Sequence, residues 1–339
     1  MAAILRIEHL TTEIPTKRGK LVAVDDISFE LEAGKVFGVV GESGSGKSMT
    51  CRSILQLVPR PGKITQGHIF YQDRDLLQLS KKEMEAIRGK DISMIFQDPI
   101  VVLNPVLKIG DQIQEVLTTH QAISGKQARD RAIELLTLVG ISDAVRRLEN
   151  YPHEFSGGMC QRVSIAIALA CNPRVILADE PTTALDVTIQ DQILKLIANL
   201  QEQLDLTVLL VTHNLGVVAQ SCQRVAVMYA GKIMETADTE ELFRAPLHPY
   251  TLGLLNCVPH FSDTGEASEL TPIPGQPPDL VSPPPGCRFH PRCPLASEEC
   301  KGGDFPLVEV RPGHFTACIK HELLETSGNI WNRPENVTA

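Results

Sequence analysis

No apolar run in this 339-residue chain approaches the ~20 residues that a membrane-spanning helix needs. The first residues, MAAILRIEHLTTE, carry acidic side chains early and lack the layout of a secretory signal. A cytoplasmic protein is expected, and any role at a membrane must come through a partner. Positive charge is also scarce: 32 Lys and Arg stand against 41 Asp and Glu, a net charge of −9. That balance argues against a general nucleic-acid binder. No heptad pattern is sustained, so long coiled coils are excluded. The Cys-x2-Cys pair of common zinc ribbons does not occur. The nine cysteines are odd in number and the expected compartment is reducing, so no disulfide framework is expected.

What is present is a soluble globular composition, 43% hydrophobic and 22% charged. At roughly 100–200 residues per domain the length suggests two domains, or one with an appendage. The chain is organised around Gly41–Ser48, GESGSGKS, which fits Gly-x-x-x-x-Gly-Lys-Ser. The apolar run Val36–Val40 before it reads as a buried strand, and Ser48 to Val58 after it as a helix stopped by Pro59 and Gly62. Gly41, Gly44 and Gly46 let successive N–H groups face one anion, and the helix adds its positive end. Lys47 is placed for the β/γ-phosphates and the Ser48 hydroxyl for Mg²⁺. Gly41, Ser43, Gly44, Ser45, Gly46, Lys47, Ser48 and Met49 form the candidate nucleotide-binding loop.

Elsewhere, residues 4–8 and 21–31 read as strands split by a polar loop with Pro15 and Gly19, and Gly67–Tyr71 as an edge strand. Ile92–Phe96 is a strand ended by Gln97. Ile109 to Thr119 and Ala128 to Val139 show helical spacing, the second stopped by Gly140. Residues 99–160 therefore read as a helical insertion in an α/β core. The core resumes at Val175–Glu180, an apolar strand ending in two carboxylates. Asp179 is placed to hold Mg²⁺ through water, and Glu180 to orient or deprotonate an attacking water. A helix follows with Ile189, Ile193, Leu196, Ile197 and Leu200 on one face, then the strand Val208–Thr212, which runs to His213. Ser156-Gly157-Gly158 precedes another helix, where it is either a plain cap or a second anion site.

The order GESGSGKS, Gln97, Phe-Ser-Gly-Gly, Val-Ile-Leu-Ala-Asp-Glu, Ala184-Leu185-Asp186 and His213 resembles the ATP-binding-cassette (ABC) ATPases over residues 4–245. The resemblance implies an α/β phosphate-loop NTPase core with an antiparallel β subdomain and a helical subdomain at about 99–160. It implies that two cassettes pair head to tail with two ATPs between them. Each ATP would lie on one loop Gly41–Ser48 and face the other cassette's Ser156, Gly157 and Gly158. Gln97 would sense the γ-phosphate and Mg²⁺, Glu180 would be the catalytic carboxylate, His213 would hold the γ-phosphate or water, and Asp186 would lie at the cassette contact. Two departures stand out. Ile14 occupies the position where the family usually stacks an aromatic on adenine, and Met159 replaces the usual Gln after Ser-Gly-Gly.

Ile95–Pro99, Leu103-Asn104-Pro105, Tyr151-Pro152-His153, Thr182–Thr188 and Ala245–Thr251 are similar to the ATPase subunits of bacterial dipeptide, oligopeptide and nickel importers. That group implies a second, usually different, cassette, two membrane permease subunits and an extracytoplasmic solute-binding protein. It places the chain on the cytoplasmic face of the membrane, with no nucleic acid as partner. Nickel or another solute remains an alternative cargo. A soluble cassette acting on ribosomes or DNA is the rival reading. The single phosphate loop and the lack of heptads count against it.

From about residue 246 the composition changes, and 272–294 is dense in proline and glycine, a loop-like stretch whose order needs a staple. Cys287-x5-Cys293-x6-Cys300-x17-Cys318 supplies four thiols within 32 residues, suited to one metal centre. Zinc, held by the four cysteines or with His290 or His314 substituting, and an iron–sulfur cluster are both open on the residues. Gly286-Cys287 and His290–Pro294 resemble the tail of the peptide-importer ATPases, which implies a structural 4Fe–4S cluster. Cys51, Cys171 and Cys222 are expected to be packing residues, and Cys160 to be reactive if exposed.

Overall fold

Continuous apolar runs make strands that can be buried on both faces, and those strands frame both halves of this protein. The computed structural model describes residues 3–183, 185–257, 271–326 and 330–332. Its strands are β1 Ala3–Thr16, β2 Gly19–Glu32, β3 Val36–Val40, β4 Lys63–Tyr71, β5 Arg74–Asp75, β6 Ile92–Ile95, β7 Val175–Asp179, β8 Thr207–Thr212, β9 Arg224–Tyr229, β10 Lys232–Asp238, β11 Val308–Arg311 and β12 His314–Thr316. The chain divides into two compact units. One comprises Met1–Arg6, Glu30–Val36 and Ile69–Val211; the other comprises Ile7–Phe29, Phe37–His68 and Thr212–Ala339.

In the first unit β6, β7 and β8 run parallel, with Ile92 opposite Val175 and Val175 opposite Thr207. All three strands are buried along their length. The helical insertion consists of Pro99–Val102, Ile109–His120, Lys126–Leu138 and Ala144–Arg147, followed by the helix Gly157–Leu169. Ile109, Ile113 and Leu117, four residues apart, form the buried stripe of one helix. The helix Lys126–Leu138 ends as its glycine predicts. Gly140 adopts φ +76° and donates to Thr137 O (2.9 Å), and Ile141 donates to Leu136 O (2.9 Å), which is a Schellman motif.

In the second unit β3 lies parallel to β9, Phe37 opposite Arg224, and β10 is antiparallel to β9. Ala230 and Gly231, at φ +48° and +88°, make the two-residue hairpin turn. The order continues through β12 to β11, so the late part of the chain adds two strands to this sheet. From Thr271 to Phe289 there is no helix or strand among the described residues, in keeping with the proline and glycine there.

Three sequence expectations are corrected. The strands β1 and β2 leave only residues 17 and 18 between them, so the expected polar loop is mostly strand. In the order β2-β1-β4-β5, β4 is interior, because the short β5 folds back through Gln72 and Asp73, both at positive φ. The helix after the phosphate loop spans Lys47–Ile54 and stops before Val58, with Gln56 at φ +50° unwinding the chain.

Candidate functional site

The segment Gly41–Ser48 belongs to the second unit and follows β3 directly. Gly46 opens the helix Lys47–Ile54 at φ +108°, and a Cβ there would lie 2.3 Å from Ala23 O. Only glycine satisfies both the backbone angle and the close approach. The Lys47 ammonium is buried and donates to Gly41 O (2.8 Å) and Glu42 O (2.9 Å), so it lies across the mouth of its own loop. Ser45 N donates to Glu42 O (3.2 Å), and Ser45 O accepts from Gly231 N (2.8 Å). Ser43 and Gly44 are exposed, while Ser48 and Met49 are half-buried on the first turn of the helix. His213 is exposed just beyond β8, in the same unit.

Residues distant in sequence brace this loop. Glu42 N donates to Tyr250 Oη (2.9 Å), from the helix Pro249–Asn256. Tyr250, Tyr229 and Phe289 form an aromatic cluster with ring centroids 4.6–5.2 Å apart. Arg292 forms a two-pronged ion pair with Glu42. Arg288, also buried, bonds to Asp25 and to Ala230 O. Sequence reasoning singled out the segment Ala245–Thr251 but not Tyr250's contact with the loop. It named Glu42 and Arg292 only as members of their motifs and missed their pairing, because neither motif marks a partner so far away.

The first unit carries Gln97, Ser156, Gly157, Gly158, Asp179, Glu180 and Asp186. Asp179 ends β7 fully buried. Glu180 stands at φ +46°, an unusual backbone for a residue with a side chain, and its N donates to Val211 O (2.9 Å). Gln97 Nε2 donates to Glu180 Oε2 (3.3 Å), and so does Thr183 Oγ1 (2.8 Å). The structure thus brings Gln97 to Glu180 and adds Thr183, which the sequence reading had left unassigned. Ser156 caps the helix Gly157–Leu169, its Oγ accepting from Met159 N (3.3 Å). Asp186 caps Val187–Leu204, its Oδ1 accepting from Ile189 N (3.0 Å). These two helix starts touch: a Cβ on Gly158 would meet Ile189 at 2.6 Å. Ala184 lies outside the described residues. Cys160, expected to be reactive if exposed, is buried, and burial pushes its thiol pKa up.

Cys287, Cys293, Cys300 and Cys318 line one cavity together with His248 and His290, with about 340 Å³ of empty space including its mouth. His314 is engaged elsewhere, its Nε2 donating to buried Glu235 (2.7 Å). Burial, reinforced by the neighbouring thiols, pushes the Cys293 and Cys318 pKa values up to about 12. A nearby cation is what would let such thiols ionise. Among the described residues, no group of three or more His, Cys, Asp or Glu is gathered so that it could hold a metal ion. No helix among them is long and apolar enough to cross a membrane.

A phosphate-binding loop between a buried parallel strand and a helix, with a second parallel strand ending in two acids, defines the phosphate-loop NTPase class. Comparisons with known proteins narrow this. The family described as ABC transporter matches residues 24–183, and that described as oligopeptide/dipeptide transporter, C-terminal region, matches 234–300. The dipeptide transport ATP-binding protein DppD of Bacillus subtilis is 53% identical over 88% of this chain and 89% of its own length. The oligopeptide transport ATP-binding protein OppD of the same organism is 48% identical over 99% of this chain and 93% of its own. The solved ATP-binding cassette MJ0796, a dimer in a post-hydrolysis state bound to ADP and Pi, superposes with a TM-score of 0.62 at 30% identity, covering 69% of this chain and 98% of that one. The chain belongs to the ABC transporter ATPases, in the group of the oligopeptide and dipeptide transport ATP-binding proteins.

Proposed function

We propose that this chain hydrolyses ATP to drive the import of dipeptides or oligopeptides. The observation that carries the reading is the loop Gly41–Ser48, whose Lys47 ammonium is already aimed across the bend where phosphates would be held. The named relatives, which span nearly all of the chain, support the peptide cargo. In this reading residues 1–245 form the cassette and 246–339 an extension. The cassette works on the cytoplasmic face of the membrane beneath two permease subunits, beside a second cassette and with an extracytoplasmic binding protein.

The chemistry follows from the residues. Backbone N–H groups of Gly41–Ser48 and the start of the following helix bind the polyphosphate, and Lys47 neutralises its β/γ end. Met49 lies on the first turn of that helix, beside Ser48. Ser48 and Asp179 are the residues to hold Mg²⁺, which neutralises charge on the transferred group. Glu180 orients the attacking water and accepts its proton, held in place by Thr183 and Gln97. His213 steadies the γ-phosphate. Ser156, Gly157 and Gly158 of one cassette complete the site on the other, with Asp186 beside them at the contact.

The four cysteines, which line one cavity, are read as the ligands of a 4Fe–4S cluster, with zinc as the alternative. Thiolate ligation by Cys287, Cys293, Cys300 and Cys318 to a 4Fe–4S cluster would supply a structural staple for a tail with little apolar core.

The test is Glu180→Gln in the assembled transporter. Steady turnover should fall at least ~100-fold, as expected when a positioned base is removed. ATP should still bind and trap two cassettes together. Wild-type turnover in this variant would overturn the assignment.

A further inference from the structure

Glu42 is an anomaly in an anion-binding loop. It is the second residue of Gly41–Ser48, and a free carboxylate beside bound phosphates would repel them. In this protein the carboxylate is not free. Arg292 Nη1 donates to Glu42 Oε2 (2.8 Å) and Nη2 to Glu42 Oε1 (3.1 Å), the paired geometry that guanidinium and carboxylate favour. The other donors of Arg292 are also used, on Pro274 O (2.9 Å), Tyr229 Oη (3.2 Å) and Ile273 O (3.4 Å). Its cation lies 5.7 Å from the Tyr229 ring centre and 5.9 Å from that of Phe289. The arginine side chain is 6% exposed and that of Glu42 24%. So fixed and desolvated a pair is weakly screened, and its geometry cannot be met by lysine.

We propose that Arg292 of the C-terminal extension is a positioning residue for the phosphate loop. It cancels the Glu42 charge and turns that carboxylate away from the space where the nucleotide's phosphates bind. The tail would therefore set the cassette's affinity for ATP, whatever the four cysteines hold. The pair joins the segment carrying Cys293 to the loop in one step. Tyr250 makes a second link, through the backbone N–H of the same residue, Glu42. The inference rests on reading Gly41–Ser48 as the ATP loop.

The experiment measures Mg-ATP binding by calorimetry and KM and kcat in the assembled transporter. The full-length variants are R292A, R292K, R292A/E42Q and, as a control, K47A. R292A should weaken ATP binding by ~10-fold or more, raising KM while kcat at saturation changes less than about threefold. R292K should fall between R292A and wild type, since it restores charge but not the paired contact. R292A/E42Q should recover to within about threefold of wild type, because the repelling charge has gone. The R292A defect should shrink between about 50 mM and 500 mM salt. If R292A does not fold, R292M and R292M/E42Q keep the bulk of the stem and carry the same comparison. Wild-type affinity in R292A, or a double variant no tighter than R292A, would overturn the proposal. Wild-type affinity in K47A would instead overturn the reading of the loop.

Discussion

Glu235 offers a measurable test of what attaches the late strands to the sheet. It is 0% exposed, in the middle of β10, where it stands opposite Thr316 of β12. Its Oε1 accepts from Leu247 N (2.6 Å) and from His314 Nε2 (2.7 Å), and its Oε2 from His248 N (3.0 Å). One carboxylate therefore ties β10 to β12 and to the start of the helix Pro249–Asn256. Glu235→Ala strands two backbone donors and a buried imidazole. Each unpaired donor costs ~1–3 kcal/mol, and breaking a buried pair about 3–5 kcal/mol. The two figures overlap, so the expected loss is ~3–5 kcal/mol. At about 2–4 °C per kcal/mol for a unit of this size, Tm falls by roughly 6–20 °C. Urea unfolding followed by circular dichroism gives the free energy directly. His314→Ala should cost less, since it leaves Glu235 with its two backbone donors. The double variant should cost less than the sum of the singles. A Glu235→Ala loss below ~1 kcal/mol, or strict additivity with His314→Ala, would refute the account of this network.

Two further outcomes are expected. Protein purified without oxygen should be brown and carry about four iron per chain, and Cys293→Ser should lose the colour. Stoichiometric zinc with no visible absorption would dismiss the cluster. Gly46→Ala should abolish detectable ATP binding, because its Cβ would press on Ala23 O at 2.3 Å from a backbone angle that L-residues avoid. Calorimetry on a variant shown by circular dichroism to be folded would check it.

Much of the cassette was legible because its signals are local. A five-residue apolar run, three glycines and a Lys-Ser pair sit within 13 residues, Val36 to Ser48, and each has one physical reading. Gly140 stopped its helix for the same kind of reason. What escaped depended on distance in the chain. The two-residue strand β5 carries no periodicity, so β4 looked like an edge. The strands β11 and β12 are four and three residues long; β12 gains its place only by pairing with β10, and β11 only by pairing with β12. Thr183 is the exception: it was read as part of a family motif, and its bond to Glu180, three residues earlier, belongs to the local turn after β7.

The loop's bracing has a consequence for how the chain is made. Glu42 meets Tyr250 across 208 residues and Arg292 across 250. Contacts of such long range form late, since much chain must be ordered before they close. On the ribosome, Gly41–Ser48 emerges well before its partner and must wait for the 250 residues that separate Glu42 from Arg292 before its carboxylate is paired. A chain halted before residue 292 could form the loop but not its intended charge balance. ATP binding would thus report that synthesis has passed Arg292.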